Sequence, residues 1–143
     1  MGHSFTSFND KHIRSKDYKV ETWLFLICRE IEKLSDKPEW LRSAHEKWLS
    51  EARLSINGCM DPEFDEILDT NEKVEIITKY FEKGLSILES FGGTISKEFL
   101  NEVCEKSPPF HVMEDNEAEL YLSYGRAVIS LLKGNQVEKC IST

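Results

Sequence analysis

No run of apolar residues in the sequence is longer than six, the stretch Trp23-Leu24-Phe25-Leu26-Ile27-Cys28. A bilayer-spanning helix needs about 20, so no membrane span is expected. Met1-Gly2-His3-Ser4 leads into polar residues and Asp10, without the apolar core of a signal peptide, so the expected location is cytoplasmic. Cysteine is scarce: the four residues, at 28, 59, 104 and 140, form no CxxC or Cys/His metal spacing. Cys28 and Cys104 lie within apolar faces and are expected as buried, reduced thiols. The four histidines, His3, His12, His45 and His111, include no pair at i+3 or i+4, which excludes a two-histidine metal helix. His45 is expected at a helix boundary with solvent and His111 in a loop. Glycine forms no phosphate-cradling loop, and no G-x-S-x-G nucleophile turn occurs. No catalytic residue, metal ligand or cofactor is therefore nominated, and the expected activity is not enzymatic.

Charge is abundant, and it is uneven. Of 143 residues 31% are charged, with a net charge of −8. Residues 1–58 hold ten Lys/Arg against nine Asp/Glu, while residues 59–143 hold eight against seventeen. The negative excess belongs wholly to the second part. Such a field repels nucleic acid and anionic membrane and attracts basic proteins. Its densest point is MDPEFDEILDTNEKVE, residues 60–75, where Asp61, Glu63, Asp65, Glu66, Asp69, Glu72 and Glu75 face one cation, Lys73. A calcium loop is the first idea to test there. An EF-hand places oxygen ligands at positions 1, 3 and 5, Gly at 6 and Glu at 12. The register from Asp61 puts Glu66 where Gly belongs, and the register from Asp69 ends on Tyr80, so both fail. Two readings of the seven acids stay open: a solvated, partly mobile segment, or the candidate partner-binding residues, a surface that imitates a phosphate chain and offers itself to a cationic cleft. Glu114, Asp115, Glu117 and Glu119 form a smaller cluster that would extend the surface if the fold brings the two together.

Hydrophobic periodicity predicts helix almost throughout, hence an all-α fold: one compact bundle of about five main helices spanning 1–143. The first helix runs from Asp17, a candidate N-cap, to Leu34, apolar on several sides. Asp36 and Glu39 resemble a capping box for a second helix, which ends before Asn57-Gly58. Phe64, Ile67 and Leu68 suggest a short helical turn within the acidic segment. A third long helix starts at Thr70 or Asn71 and reaches Phe91, and Gly84 within it suits the close approach of a neighbouring helix. Gly92-Gly93 terminate it. Ser96 opens a shorter helix that stops at Ser107-Pro108-Pro109, and its acidic body argues against a DNA-recognition helix. Asp115 is the candidate cap of the last helix, which ends at Gly134. Residues 1–16 have no clear period and read as an N-terminal arm, and residues 135–143 as a fraying tail.

The opening "SFTSFNDKHIRSKDYKVETWLFLICREI", the "PEWL…HEKWL" helix and the "NGCMDPEFDEIL" segment span about the first half of the chain. In these stretches, and in its size, acidity and helicity, the sequence resembles bacterial immunity proteins that neutralise polymorphic toxins, including those of contact-dependent growth inhibition. The resemblance implies a tight one-to-one inhibitor of a cognate toxin, commonly a nuclease, acting in the cytoplasm by occluding the substrate cleft. It assigns no residue roles. Two other readings stay open: a helical adaptor with an apolar groove rimmed by acids, and a small enzyme or metal protein whose site is assembled from distant residues.

Overall fold

The computed structural model describes residues 2–135 and 140–143. It is mostly helical but not all-α. The stretch read as an arm is a β-hairpin, β1 (His3–Phe8) antiparallel to β2 (Lys11–Lys16), with Phe8 opposite Lys11. Asn9 and Asp10 both take positive φ, 51° and 65°, the two-residue turn whose twist matches that of paired strands. The inward-facing positions are Ser4, Thr6, Phe8, Ile13 and Ser15, all buried. Three of the five are hydroxyls, so the apolar alternation that announces a half-buried strand is missing. Each hydroxyl has a partner: Ser4 Oγ donates to Asp17 Oδ1, Thr6 Oγ1 pairs with Tyr124 OH at 2.7 Å, and Ser15 Oγ accepts from Thr143 Oγ1 at 2.7 Å. Pairing of that kind is what makes buried polar groups tolerable.

The tail expected to fray is a third strand at its end. β5 (Cys140–Ser142) runs parallel to β2, and Thr143 N donates to Arg14 O. Residues 136–139, also part of that expectation, lie outside the described residues. A second, two-stranded sheet joins β3 (Thr94–Ile95) to β4 (Asn116–Glu117).

Among the described residues six helices supply the rest: α1 (Asp17–Glu32), α2 (Glu39–Leu54), α3 (Phe64–Ile67), α4 (Asn71–Glu89), α5 (Lys97–Val103) and α6 (Glu119–Lys133). Helix α1 is the centre, with Val20, Trp23, Leu24, Phe25, Leu26, Ile27 and Ile31 all buried, and α2, α4, α5, α6 and the hairpin pack around it. Trp23 is the hub. Its ring stacks on Phe81 of α4 at 5.2 Å between centroids, and it fills the space beside Gly84 of α4 and Gly125 of α6, where a Cβ would come within 2.5 and 2.2 Å of it. The close approach expected at Gly84 is thus made by an indole.

The caps divide into two groups. Ser96, expected to open α5, caps it by accepting from Phe99 N, and Thr70, one of the two expected starting residues of α4, caps that helix by accepting from Lys73 N. Asp17, Asp36 and Asp115 do not cap the helices they were matched to. Asp17 lies inside α1, and its carboxylate binds the hairpin and Gly58 N. Helix α2 starts after Pro38 with no side-chain cap. Asp115 accepts from Lys97 N at the start of α5, while α6 begins after Ala118.

Candidate functional site

The acidic segment is a set of outward carboxylates on a backbone held from beneath. Met60, Pro62, Phe64 and Leu68 are buried, and Trp48 Nε1 donates to Pro62 O at 2.8 Å. Phe64 packs edge-on against Trp48 and Phe81. Met60 N donates to Ser4 Oγ, and Asn9 N at the hairpin turn donates to Asp65 Oδ1 at 3.0 Å. The short turn of helix expected here is α3, which two buried side chains, Phe64 and Leu68, hold to the core.

Six of the seven nominated acids, Asp61, Asp65, Glu66, Asp69, Glu72 and Glu75, are exposed, and Glu63 is partly so. Two are paired. Lys47 Nζ lies 3.1 Å from Glu63 Oε2, and Lys73 Nζ lies 2.8 Å from Asp69 Oδ1. The hydrogen bond from Lys73 holds the Asp69 carboxyl below its usual range. Lys73 also sits over the Trp40 ring at 5.5 Å, so the one cation of the stretch is held locally. Asp61, Asp65, Glu66, Glu72 and Glu75 have no ion-pair partner among the described residues. Two of these five are oriented by backbone donors: Asp61 Oδ1 accepts from Glu63 N, and Asp65 Oδ1 from Asn9 N. Glu72 stands in the first turn of α4, where the helix dipole favours negative charge.

Between the hairpin turn and the start of α4 lies a groove of about 610 Å³, lined by Phe8, Asn9, Asp65, Leu68, Asp69 and Val74 among others. Asp65 and Asp69 therefore share one concave wall. Asn9, Lys47 and Glu51, which position Asp65, Glu63 and the Asp61 amide, are the site residues the sequence did not reveal. Asn9 stands 56 residues from Asp65. The only local signal was its place in an Asn-Asp hairpin turn.

The second acidic cluster belongs to other elements: Glu117 pairs with Thr94 across β3 and β4, and Glu119 binds Arg126 at 2.8 Å. Among the described residues no group of three or more His, Cys, Asp or Glu side chains is arranged to hold a metal ion. Cys28, Cys59 and Cys104 are free thiols. Burial pushes Cys28 up to about 12 and Cys104 up to about 11, so both are protonated and inert at neutral pH. His45 is mostly buried at the α2 surface, its Nε2 3.6 Å from Glu32 Oε1. No helix among the described residues is long and apolar enough to cross a membrane. Comparison with protein-family models, curated proteins and solved structures finds no match.

Proposed function

We propose that this chain acts by binding and not by catalysis, as a cytoplasmic immunity protein. In this reading it neutralises a cognate toxin, a basic nuclease domain, by covering the toxin's substrate cleft with the surface that carries Asp61, Glu63, Asp65, Glu66, Asp69, Glu72 and Glu75. One observation carries the reading: the acidic segment has an anchored backbone and outward carboxylates, five of them without a cation of their own among the described residues. A solvated run of charge does not need Phe64 and Leu68 in the core or an indole bonded to Pro62. A surface that must meet a cationic cleft in a set geometry does. The fixed field speeds encounter and selects a positive partner, and it disfavours nucleic acid and anionic membrane as partners.

The experiment is growth rescue. The product of the gene immediately upstream, whatever it is, is expressed alone and together with the chain under a separate promoter, and growth is followed. Rescue that weakens when Glu66, Glu72 and Glu75 are changed together to lysine is the expected result. Undiminished killing in the presence of the folded wild-type chain overturns the proposal.

A further inference from the structure

The groove beside Asp65 does not end at the start of α4. A second concavity, of about 370 Å³, lies between α4 and the end of α6, and the two share Asn71 and Val74. Together they follow one face of α4 from the hairpin turn as far as Glu82. The rise from Asn71 to Glu82 is about 16 Å, the length of about five residues of extended chain.

Floor and rim differ in chemistry. Val74 and Leu132 make an apolar floor between the two helices, and the Thr78 hydroxyl is spent within α4, donating to Val74 O at 2.7 Å. The rim carries the carboxylates of Asp65, Asp69, Glu75 and Glu82 against the ammonium groups of Lys79 and Lys133. Both lysines line the α4–α6 part, where Lys133 lies 3.5 Å from Glu82. The hairpin end is lined by carboxylates without a cation. Lys73 reaches Asp69 from outside the groove, with its Nζ over the Trp40 ring. Asp65 is aimed by the Asn9 amide at Oδ1, and its Oδ2 has no donor among the described residues.

These features choose between occupants. A docked helix lays down a broad apolar face of i, i+3, i+4 and i+7 anchors, and this floor is too narrow for one. An extended chain needs a single row, because its alternate side chains point the same way. Carboxylates without cations at the hairpin end call for guanidinium or ammonium groups there, and an acidic or phosphorylated segment would be repelled. We infer that this groove seats an extended segment of the basic partner, with an apolar side chain between Val74 and Leu132 and lysine or arginine side chains against Asp65 and Glu75. The inference rests on the reading of the acidic segment as a surface for a basic protein. It adds the place where the partner's chain lies and an apolar anchor that charge attraction alone does not supply.

The test is NMR titration of the full ¹⁵N-labelled chain with a synthetic peptide, acetyl-Lys-Arg-Leu-Thr-Leu-amide, beside a leucine-free peptide of the same charge, acetyl-Lys-Arg-Ser-Thr-Ser-amide. The first should give saturable shifts centred on the amides of Asn71, Val74, Thr78 and Leu132. The second should bind at least about tenfold more weakly, as the loss of one buried leucine implies. Glu75→Lys, at an exposed position, should weaken the first peptide by about three- to tenfold. Val74→Arg, which fills the floor, should abolish its binding, with the remaining amide spectrum reporting that each variant is folded. If Val74→Arg disturbs the fold, Glu75→Lys decides. Equal binding of the two peptides, shifts confined to residues 60–68, or no saturable shift up to the peptide's solubility overturns the inference, whatever the growth experiment gives. Peptide binding as expected without rescue of growth overturns the immunity reading instead and leaves the groove as a seat for basic segments.

Discussion

Trp23 Nε1 donates to the main-chain carbonyl of Tyr121 at 2.7 Å, pinning the central helix to the outer helix α6 through an indole that occupies the space beside two glycines. Neither glycine is there for backbone freedom, because both sit in ordinary helix and neither has positive φ. Alanine at either position gains helix propensity of about 1 kcal/mol, but its methyl meets the rigid Trp23 ring at a distance no carbon pair tolerates. Overpacking of this kind costs about 1–3 kcal/mol. Urea unfolding should show both Gly84→Ala and Gly125→Ala less stable than wild type, Gly125→Ala by more. Since both press on one ring, their effects should not add.

Glu30 is the deepest charge in the described residues, with 2% of its side chain exposed. Lys33 donates to Oε2 at 2.8 Å, and Lys83 of α4 stands 3.1 Å from Oε1 without hydrogen-bond alignment. Burial pushes the carboxyl up, yet the two ammonium groups outweigh it and hold the group below its ordinary value. Removing both lysines, as Lys33→Ala with Lys83→Ala, strands a buried carboxylate and should cost about 3–5 kcal/mol. Glu30→Gln releases two exposed lysines into water and should cost less, about 1–2 kcal/mol. For a carboxyl lowered in the folded state, the stabilisation is complete above the unfolded value, about 4.3, and is lost as pH falls through the folded value. Acid unfolding of Glu30→Gln should therefore be less steep than that of wild type across that window.

Asp17 joins three parts of the molecule, accepting from Ser4 Oγ in β1 and from Gly58 N in the loop after α2 while its own amide donates to Gly2 O. Asp17→Ala leaves two donors without their acceptor, Ser4 among buried neighbours, and should cost about 2–3 kcal/mol. The loss should be uneven. Hydrogen exchange should quicken first in His3–Phe8 and around Gly58, with the core of α1 protected until global unfolding.

How much of this was legible follows from where each signal is stored. The long helices carry their signal within the chain, as apolar stripes three and four residues apart, and α1, α2, α4, α5 and α6 fall where the periodicity puts them, give or take a few residues at the ends. The hairpin does not. Its inward hydroxyls look polar until Asp17, Tyr124 and Thr143 come up against them, and those partners stand 13, 118 and 128 residues away. The aspartate caps failed for a related reason: a short carboxylate accepts any amide that tertiary structure supplies, so Asp115 serves α5 and Asp17 serves a loop. Thr70 and Ser96, read only as helix starts, cap α4 and α5 with their own hydroxyls. Of the acidic surface, the residues were legible and their support was not, because the hydrogen bonds from Asn9 to Asp65 and from Trp48 to Pro62 are made by folding.

The binding proposal has its sharpest consequence in association kinetics. Glu66, Glu72 and Glu75 are exposed, make no ion pair among the described residues and lie outside the core, so changing all three to lysine should hardly disturb the fold. Surface changes of this kind stay within about 0.5 kcal/mol each, with Glu72→Lys somewhat costlier because it opposes the dipole at the start of α4. The field changes far more, from three negative charges to three positive ones on one short segment. Against a basic toxin domain at low salt, the association rate of the triple variant should fall by about ten- to a thousandfold, the range that electrostatic steering spans. Raising the ionic strength shortens the screening length to about 8 Å at 0.15 M, so the wild-type rate should drop and the gap between the two proteins narrow. The dissociation rate should change less than the association rate, since rim charges act mainly on encounter. A wild-type rate that stays flat from low to high salt would mean that the carboxylates do not steer the partner, and the acidic segment would then be a solvated edge of the fold.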